Sequence, residues 1–313
     1  MCEKELQIKN LKDKINENFN LTAKDKTLVD KILSYDLNID RLSVITRLII
    51  DTKLDKASLI AFLCYQLYKV YPDDAELLCK NITKEEQAMV EDYKTIKDIN
   101  QLTVSEEIED IRRMFLVMSN DMRVVMIKLA GIYYDISVLK LPLNENEWRF
   151  VKQVEEVHVP LAERLGLDKL KQNLYDNVIR LEHPSEYNRL KETIESKREE
   201  NEQQLEITKT KLQAILDDLK IDGEIVSRIK HVSSIFNKLH NKKLTLDQIY
   251  DILAMRVIVD TVEECYAVLG RIHSIYKPIT GRVKDYIANP KPNGYKSLHT
   301  TIIVENQHPL EVQ

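Results

Sequence analysis

Glycine and histidine are absent from the first part of the chain, and this absence constrains the fold more than any other feature. In 313 residues, the first glycine is Gly131 and the first histidine is His158. With Pro72 as the only internal helix breaker before Gly131, such a stretch favours helices joined by short polar turns. Apolar residues recur there at helical spacing, as Leu59 and Leu63 do. We therefore predict an all-α first domain.

The character of the chain changes after Gly223, where segments rich in β-branched residues begin. Strands are predicted over 224–229, 254–259, 298–304 and 310–313, and helices over 232–239 and 262–275. This alternation indicates an α/β or α+β domain. Between the two domains, a highly charged helix with one apolar stripe is predicted over about 187–220, with Ser185 capping its start. We interpret that helix as a solvated connector.

Composition and charge exclude several classes of function. The net charge of -5 argues against non-specific nucleic-acid binding, which needs an excess of Lys and Arg. No apolar run is long enough to cross a bilayer, and the N-terminus lacks the apolar core of a signal peptide. The four cysteines lie far apart with no C-x-x-C pair, so neither a disulfide framework nor a zinc site is predicted. We expect a cytoplasmic protein that binds neither membrane nor nucleic acid directly.

The segment 281–301 concentrates groups that could bind a nucleotide. Tyr295 offers a stacking surface, and Asn293 offers an amide that could hydrogen-bond to a base edge. The cations of the segment, which could hold phosphates, are Arg282, Lys284, Lys291 and Lys296. On composition alone, a basic surface loop with a core tyrosine is an equally good interpretation.

A second group of residues surrounds the predicted helix that starts near residue 232. Arg228 and Lys230 precede this helix, Ser234 lies in its first turn, and Lys238 follows one turn later. Helix N-termini attract phosphate through unpaired N–H groups and the helix dipole, and flanking cations add charge. By itself, this pattern is a weak indication of phosphate binding.

Two acids on separate predicted strands could hold a magnesium ion. Asp251 opens the segment that leads into the second strand, and Glu311 lies in the last one. Near a polyphosphate, Mg²⁺ usually takes one or two carboxylates together with phosphate oxygens. Spacing does not show that the two acids meet, and an acid at a strand end is more often a solvated or capping residue.

Taken together and in this order, these motifs closely resemble the synthetase signature of the RelA/SpoT family. The strongest match is the pair GRVKDYIA and PKPNGYKSLHTT over residues 281–301. Further matching segments are Arg228–His231, Ser234–Lys238, Asp251–Val257 and, upstream, His158–Leu167. The resemblance covers the chain from about residue 36 to its end.

This resemblance implies a multidomain protein of α and α+β type. An all-α HD-like domain over 1–157 would be followed by a helical connector over 158–220. A mixed-sheet, nucleotidyltransferase-like synthetase domain would then occupy 221–313. The implied reaction is transfer of the β,γ-pyrophosphate of ATP to the 3′-hydroxyl of GDP or GTP, which yields AMP and the stringent-response alarmone (p)ppGpp.

The resemblance also assigns roles to residues, motif by motif. Arg228 and Arg256 would sandwich adenine. The residues assigned to the ATP phosphates are Lys230, Ser234 and Lys238. Asp251 and Glu311 would bind Mg²⁺, with Glu311 also a candidate base. The residues assigned to the acceptor nucleotide are Tyr295 for stacking on guanine, Asn293 for its edge, and Lys284, Lys291 and His299 for its phosphates.

The first domain departs from the family at the Mn²⁺ site of its HD hydrolase. Asp40 stands where the first metal-binding His is expected, and residues 63–69 stand where the His-Asp and the following Glu-Asp are expected. Gly131 replaces the last metal-binding Asp, and Tyr134-Asp135 replaces the usual His-Asn. A domain without histidine cannot form a two-histidine site, so we expect no metal there and no hydrolysis. A structural or regulatory role is then predicted.

Two other functions stay open at this point. Whole-chain similarity also suits a (p)ppGpp hydrolase. A catalytically silent nucleotide-binding regulatory module is the other alternative, because the chain stops at Gln313, where the family's strand continues. We expect the strand that carries Glu311 to fray at this end and turnover to be slow.

Overall fold

The computed structural model describes residues 3–95, 121–229, 231–242, 253–291, 294–304 and 309–313. The chain divides into two compact units, Met1–Ala162 and Glu163–Gln313. The predicted connector over 158–220 does not form a third unit. Most of it belongs to the second unit, which begins at Glu163. No helix among the described residues is both long and apolar enough to span a membrane.

The first unit is helical, as its lack of glycine predicts. Its helices are α1 (Glu3–Asn18), α2 (Ala23–Ile32), α3 (Ile39–Asp51), α4 (Lys56–Val70), α5 (Pro72–Leu78), α6 (Lys84–Thr95), α7 (Met122–Ser137) and α8 (Glu145–Gln153). A π-helical turn, Val154–His158, leads from α8 into α9 (Val159–Arg164). Residues 96–120, which are part of the predicted helical stretch, lie outside the described residues.

Helix α4 forms the centre of the first unit. Its residues 57–64 are all buried, so it has no broad solvent-facing side there. The N-cap Asp55 accepts a hydrogen bond from the backbone N–H of Ser58, which holds the start of the helix. Helices α2, α3, α5, α6 and α7 pack against it. Side chains from these helices therefore meet around α4.

The second unit begins with the helices α10 (Asp168–Glu182) and α11 (Pro184–Leu219). The prediction that Ser185 caps α11 is wrong, because the helix already starts at Pro184. Proline suits the first helical position, since it has no N–H to leave unpaired. The apolar stripe of α11 is buried in the core of this unit, through Leu212, Ile215 and Leu216. The highly charged helix therefore packs against the core of the unit through its apolar stripe, whereas we expected a solvated connector.

Among the described residues of this unit, five strands form a mixed sheet in the order β1–β2–β5–β4–β3. They are β1 (Gly223–Ile229), β2 (Leu253–Val259), β3 (Lys284–Asp285), β4 (Leu298–Ile303) and β5 (Pro309–Val312). Strand β5 pairs parallel with β2, and the other neighbours are antiparallel. The helices α12 (Val232–Lys242) and α13 (Val262–Ile275) follow β1 and β2. The predicted fold class, an all-α domain followed by a mixed-sheet domain, is confirmed.

Strand β5 lies in the middle of the sheet, which differs from our expectation of a fraying terminal strand. The N–H of Gln313 donates to the carbonyl of Met255 at 2.9 Å, and the N–H of Val257 donates to the carbonyl of Gln313 at 2.9 Å. On its other side, β5 pairs with β4 over four residues. Glu311 is therefore held in register from both sides.

The two faces of the sheet differ because side chains alternate along each strand. Met255, Ile302 and Val312 are buried in a cluster with residues of α11 and α13. Their alternating neighbours, Arg256 and Glu311, lie on the opposite face. That polar face carries the candidate site.

Candidate functional site

A chain of side-chain contacts crosses the polar face of the sheet. The Tyr295 hydroxyl lies 2.9 Å from Nε2 of His299, whose Nδ1 lies 3.1 Å from Oε1 of Glu311. The Gln313 amide donates to Oε2 of Glu311 at 3.2 Å. Arg256 in turn donates to Oε1 of Gln313, also at 3.2 Å. We call these five residues the sheet-face cluster.

Strand register explains why residues so distant in sequence meet here. Glu311 lies opposite Ala254 on β2 and Thr301 on β4. Residues two apart on a strand point to the same face, so Arg256 and His299 lie on the face that carries Glu311. Two further predicted site residues, Arg256 and His299, thus lie on the same face as the Glu311 carboxylate.

Burial makes the contacts of Glu311 energetically important. The side chains of Glu311 and His299 are 14% and 12% exposed. A shielded carboxylate is costly unless hydrogen bonds or opposite charge compensate it. An ionised carboxylate only accepts, so Nδ1 of His299 is the donor in the contact with Glu311. The imidazole therefore connects Tyr295 to Glu311.

A basic and aromatic cluster surrounds Tyr295. The Lys291 ammonium lies 4.8 Å from the ring centre of Tyr295 and 4.9 Å from that of Tyr286. The Tyr286 ring meets Tyr295 and His299 edge-on, with centroids 6.1 and 5.1 Å apart. Such cation–π and edge contacts orient the rings. Tyr286 was not among the predicted site residues, although its place in the GRVKDYIA motif was visible.

Asp285 shapes the loop that carries the predicted acceptor-binding lysines. Its Oδ1 accepts from the N–H groups of Ala288 and Ile287 at 2.8 and 2.9 Å, and its Oδ2 accepts from the Tyr266 hydroxyl at 2.8 Å. These hydrogen bonds, with that of Ala288 the strongest, lower the pKa of Asp285. An Asp that bonds to N–H groups two and three residues later is a common turn motif. Lys284 pairs with His299 through the backbone and is exposed.

The predicted phosphate-binding start of α12 is capped by a carboxylate from α10. Oδ1 of Asp176 accepts from the N–H of Ser233 at 2.7 Å, and Oδ2 lies 3.0 Å from Nδ1 of His231. One N–H group expected to bind phosphate is therefore already satisfied. Ser234, in the first turn of the helix, and Lys238, one turn later, are both half-buried. Nothing in the pattern of predicted motifs pointed to Asp176, because its partners lie more than fifty residues away.

The remaining predicted site residues lie outside the described residues or are described only in part. Lys230, Asp251 and Asn293 are outside them. For Arg228 the structure describes the backbone, which pairs with Ala254 in the sheet.

Glu311 offers an oxygen ligand of the kind that Mg²⁺ prefers. Among the described residues, no group of three or more His, Cys, Asp or Glu side chains could hold a metal by itself. An ion at Glu311 would therefore need further ligands, such as phosphate oxygens, which is the usual arrangement for Mg²⁺.

The first unit has a pocket at the place where the family's HD metal site is expected. Its polar lining includes Arg41, Lys69, Lys128 and Asp135. Arg41 donates to Oδ1 of Asp135 at 2.7 Å. A Cβ atom at Gly131 would lie 2.7 Å from the Arg41 guanidinium, so this cation fills the space beside the glycine. A lining with these cations does not suit a divalent metal ion.

Comparison with known proteins matches both units. Residues 36–168 match a family model for the HD domain, and residues 227–313 match one for a region found in RelA/SpoT proteins. A GTP pyrophosphokinase of Myxococcus xanthus is 32% identical over 278 residues, which covers 89% of this chain and 35% of the relative. A guanosine-3′,5′-bis(diphosphate) 3′-pyrophosphohydrolase of Borreliella burgdorferi is 35% identical over 264 residues, covering 83% and 39%.

The chain thus spans little more than a third of the length of these relatives. Their names divide between a pyrophosphokinase and a pyrophosphohydrolase. Among solved structures, small alarmone synthetase 2 from Bacillus subtilis is 30% identical, with a TM-score of 0.32, over 38% of this chain and 70% of that one.

Proposed function

Because the chain belongs to the RelA/SpoT family, with an HD domain followed by a synthetase domain, we propose that its second unit synthesises (p)ppGpp. The 3′-hydroxyl oxygen of GDP or GTP attacks the β-phosphorus of ATP. A new P–O bond forms, the bond from the β-phosphorus to the α,β-bridging oxygen breaks, and AMP leaves. The hydroxyl proton passes to a base. Positioning and charge neutralisation supply most of the rate acceleration in such transfers.

The observation that carries this proposal is the position of Glu311 in the sheet-face cluster. In the proposed mechanism, Glu311 takes the proton of the 3′-hydroxyl. His299 and Gln313 contact one carboxylate oxygen each, at 3.1 and 3.2 Å, and so hold the group in one orientation. Mg²⁺ supplies charge neutralisation of the transferring phosphates when bound by Asp251 and Glu311.

The two nucleotides are assigned to opposite sides of Glu311. On the side of β3 and β4, Tyr295 stacks on guanine and Asn293 bonds to its edge. The acceptor phosphates would be held by Lys284, Lys291 and His299. On the side of β1 and β2, adenine lies between Arg228 and Arg256. The ATP phosphates would be held by Lys230, Ser234 and Lys238.

Hydrolysis of (p)ppGpp is the second candidate function, supported by the HD-domain match and by the names of several relatives. The chemistry of the first-unit pocket opposes it. Arg41 and Lys128 line this pocket, Gly131 stands at a predicted ligand position, and the unit has no histidine before His158. We therefore propose that the first unit does not hydrolyse (p)ppGpp.

One assay distinguishes the alternatives. Purified protein is incubated with Mg²⁺, ATP and labelled GDP, and separately with Mn²⁺ and labelled ppGpp. We expect AMP and ppGpp in the first reaction and no breakdown in the second. Release of GDP and pyrophosphate in the second reaction would support hydrolysis. Binding of both nucleotides without any product would make the chain a silent nucleotide-binding module.

A further inference from the structure

Two cysteines of the first unit meet in the fold, although no local spacing pairs them. Cys64 lies on α4, and Cys79 is the first residue of the short 3-10 turn Cys79–Asn81 that follows α5. Both are free thiols. We propose that Cys64 and Cys79 form a reversible dithiol–disulfide pair, which a peroxide oxidises and a thiol reductant restores. The inference does not rest on the reaction proposed for the second unit.

Helix packing brings Cys79 beside α4. The turn that carries it lies between α5 and α6, and both of these helices pack against α4. The thiol groups of Cys64 and Cys79 hydrogen-bond to each other across this contact. A disulfide forms without strain only between cysteines whose side chains already face each other. In the folded chain the two sulfur atoms therefore need only a short approach to bond.

Side-chain hydrogen bonds hold the turn that carries Cys79. The amide of Gln87, on α6, donates to the carbonyl of Ile82 at 3.2 Å. Lys24, on α2, donates to the carbonyl of Asn81. Helices α2 and α6 themselves pack against α4. The turn is therefore held against the helix that carries the partner thiol.

The two thiols differ in the way that a stepwise oxidation requires. Cys64 is 1% exposed, whereas Cys79 is half-buried and can meet a small oxidant. The hydrogen bond from Cys64 lowers the pKa of the Cys79 thiol, and the charge of Lys94 adds to this effect, against an opposing effect of burial. The same hydrogen bond, followed by burial, raises the pKa of Cys64. Because the thiolate is the nucleophile, Cys79 reacts first and Cys64 resolves the product.

Lys94 supplies a positioned positive charge near Cys79. Its ammonium lies 4.1 Å from the ring centre of Tyr68 and 2.8 Å from Oε1 of Glu91. A cation close to a cysteine favours the thiolate and therefore its reaction with oxidants. Cys265, in the second unit, offers a contrast, because burial raises the pKa of its thiol. We therefore expect Cys79 to react faster than Cys265.

The oxidation by hydrogen peroxide takes two balanced steps. The Cys79 thiolate attacks one peroxide oxygen, the O–O bond breaks, and the released hydroxide takes a proton, which gives a sulfenic acid and water. The Cys64 sulfur, as it loses its proton, then attacks the Cys79 sulfur, the S–O bond breaks, and a second water leaves. The two sulfurs together lose two electrons, which reduce the peroxide. The new bond joins α4 to the turn before α6.

The test treats the full chain with a small excess of hydrogen peroxide. The chain carries Cys2→Ser, because Cys2 lies outside the described residues. Iodoacetamide then blocks free thiols, and the monomer is digested without reductant for mass spectrometry. We expect linked peptides that contain Cys64 and Cys79 and that dithiothreitol separates. Cys79 should lose its free thiol at least about tenfold faster than Cys265, because the thiolate fraction changes about tenfold per pKa unit.

Variants of single cysteines separate the two roles. Cys79→Ser changes a residue outside the buried core, so the fold should be kept, and it should abolish the link and leave Cys64 reduced. Cys64→Ala should also abolish the link, and the sulfenic acid that accumulates on Cys79 should be trapped by dimedone. Cys265→Ser is the matched control and should form the link at the parent rate.

Four results would overturn the proposal. In the first, Cys64 and Cys79 both stay reduced at a peroxide concentration that oxidises Cys265. In the second, dimedone traps Cys79 in the parent chain and no link to Cys64 forms. In the third, the link joins two chains and is missing from the monomer. In the fourth, the link forms only after the chain has been unfolded in urea.

Discussion

The Nδ1 atom of His299 lies 3.1 Å from Oε1 of Glu311, across the neighbouring strands β4 and β5. The other ring nitrogen of the same histidine lies 2.9 Å from the hydroxyl of Tyr295. One side chain thus joins the residue proposed to stack on guanine to the residue proposed as the base. In the proposed mechanism, this contact links binding of the acceptor base to the orientation of the carboxylate.

Glu311→Gln should lower the rate of pyrophosphate transfer by about 100-fold or more, since general-base catalysis contributes about that much. The amide keeps the shape of the side chain but loses the negative charge that accepts a proton and binds Mg²⁺. The measurement is AMP release at saturating ATP and GDP. Glu263→Gln, which changes an exposed acid on α13, serves as the control and should keep full activity.

Asp251→Asn tests whether the two acids share one ion. We expect a loss comparable to that of Glu311→Gln, and the double variant should be no worse than either single one, because both changes remove the same site. Losses that multiply in the double variant would show that Asp251 and Glu311 act independently.

Tyr295→Ala should weaken binding of GDP by about one to two orders of magnitude, because base stacking on an aromatic ring is worth about 1–3 kcal/mol. Binding of ATP should stay nearly the same. Tyr295→Phe is the matched control, since it keeps the ring and removes the hydroxyl that contacts His299. Equal losses for ATP and GDP would mean that Tyr295 supports the fold instead.

Local patterns in the sequence predicted much of the second unit. The β-branched runs marked β1, β2, β4 and β5, and the predicted helix over 262–275 is α13 as observed. The order of the strands depends on distant pairing, which no local pattern reveals. For that reason the position of β5 between β2 and β4, which removes the expected fraying, could not be predicted.

The residues that the sequence failed to reveal act through such distant contacts. Asp176 caps a helix that starts 56 residues later, at Val232. Gln313 accepts a hydrogen bond from Arg256 because the parallel pairing of β5 with β2 brings the two residues together. In the first unit, the sequence alone showed that other residues stand at the metal-ligand positions of the family. It did not show the ion pair between Arg41 and Asp135, because these two residues are 94 positions apart in the chain.

Arg123 holds three segments of the first unit together. Its guanidinium bonds to Asp121 at 2.6 Å, to Glu85 at 2.7 Å and to Asp55. Hydrogen bonds from Arg123 are the largest influence on Asp121 and lower the pKa of that carboxyl. The side chain of Arg123 is 25% exposed, so solvent screens these pairs only in part.

Arg123→Met should lower the free energy of unfolding by about 1–3 kcal/mol, because it leaves three carboxylates without their shared cation. Urea denaturation at pH 7 measures this change. The control is Arg149→Met, which breaks an exposed pair with Glu145 and should cost less than about 0.5 kcal/mol. Because the pKa of Asp121 is lowered in the folded protein, its contribution is present at neutral pH and is lost as the pH falls into the acidic range. Equal stability of the two variants would contradict a special role for Arg123.

His158 ends the π-helical turn between α8 and α9 and is fully buried. Burial disfavours the charged imidazolium and lowers the pKa of His158 from its ordinary 6.5 to about 4. Between pH 6.5 and about 4, His158 therefore binds a proton in the unfolded chain but stays neutral in the folded protein.

Lowering the pH from 7 to 5 should reduce the free energy of unfolding through His158 by about 2 kcal/mol. Between pH 6.5 and about 4 the unfolded chain binds the extra proton, so stability falls with the pH over that window and His158 adds no further loss below it. His158→Leu should remove this part of the pH dependence, whatever it does to stability at pH 7. The measurement is urea denaturation at both pH values, with His240→Gln as the control, because His240 is a half-exposed histidine on α12. If the difference between pH 7 and pH 5 is the same in His158→Leu as in the parent chain, the buried histidine is not the source of the pH dependence.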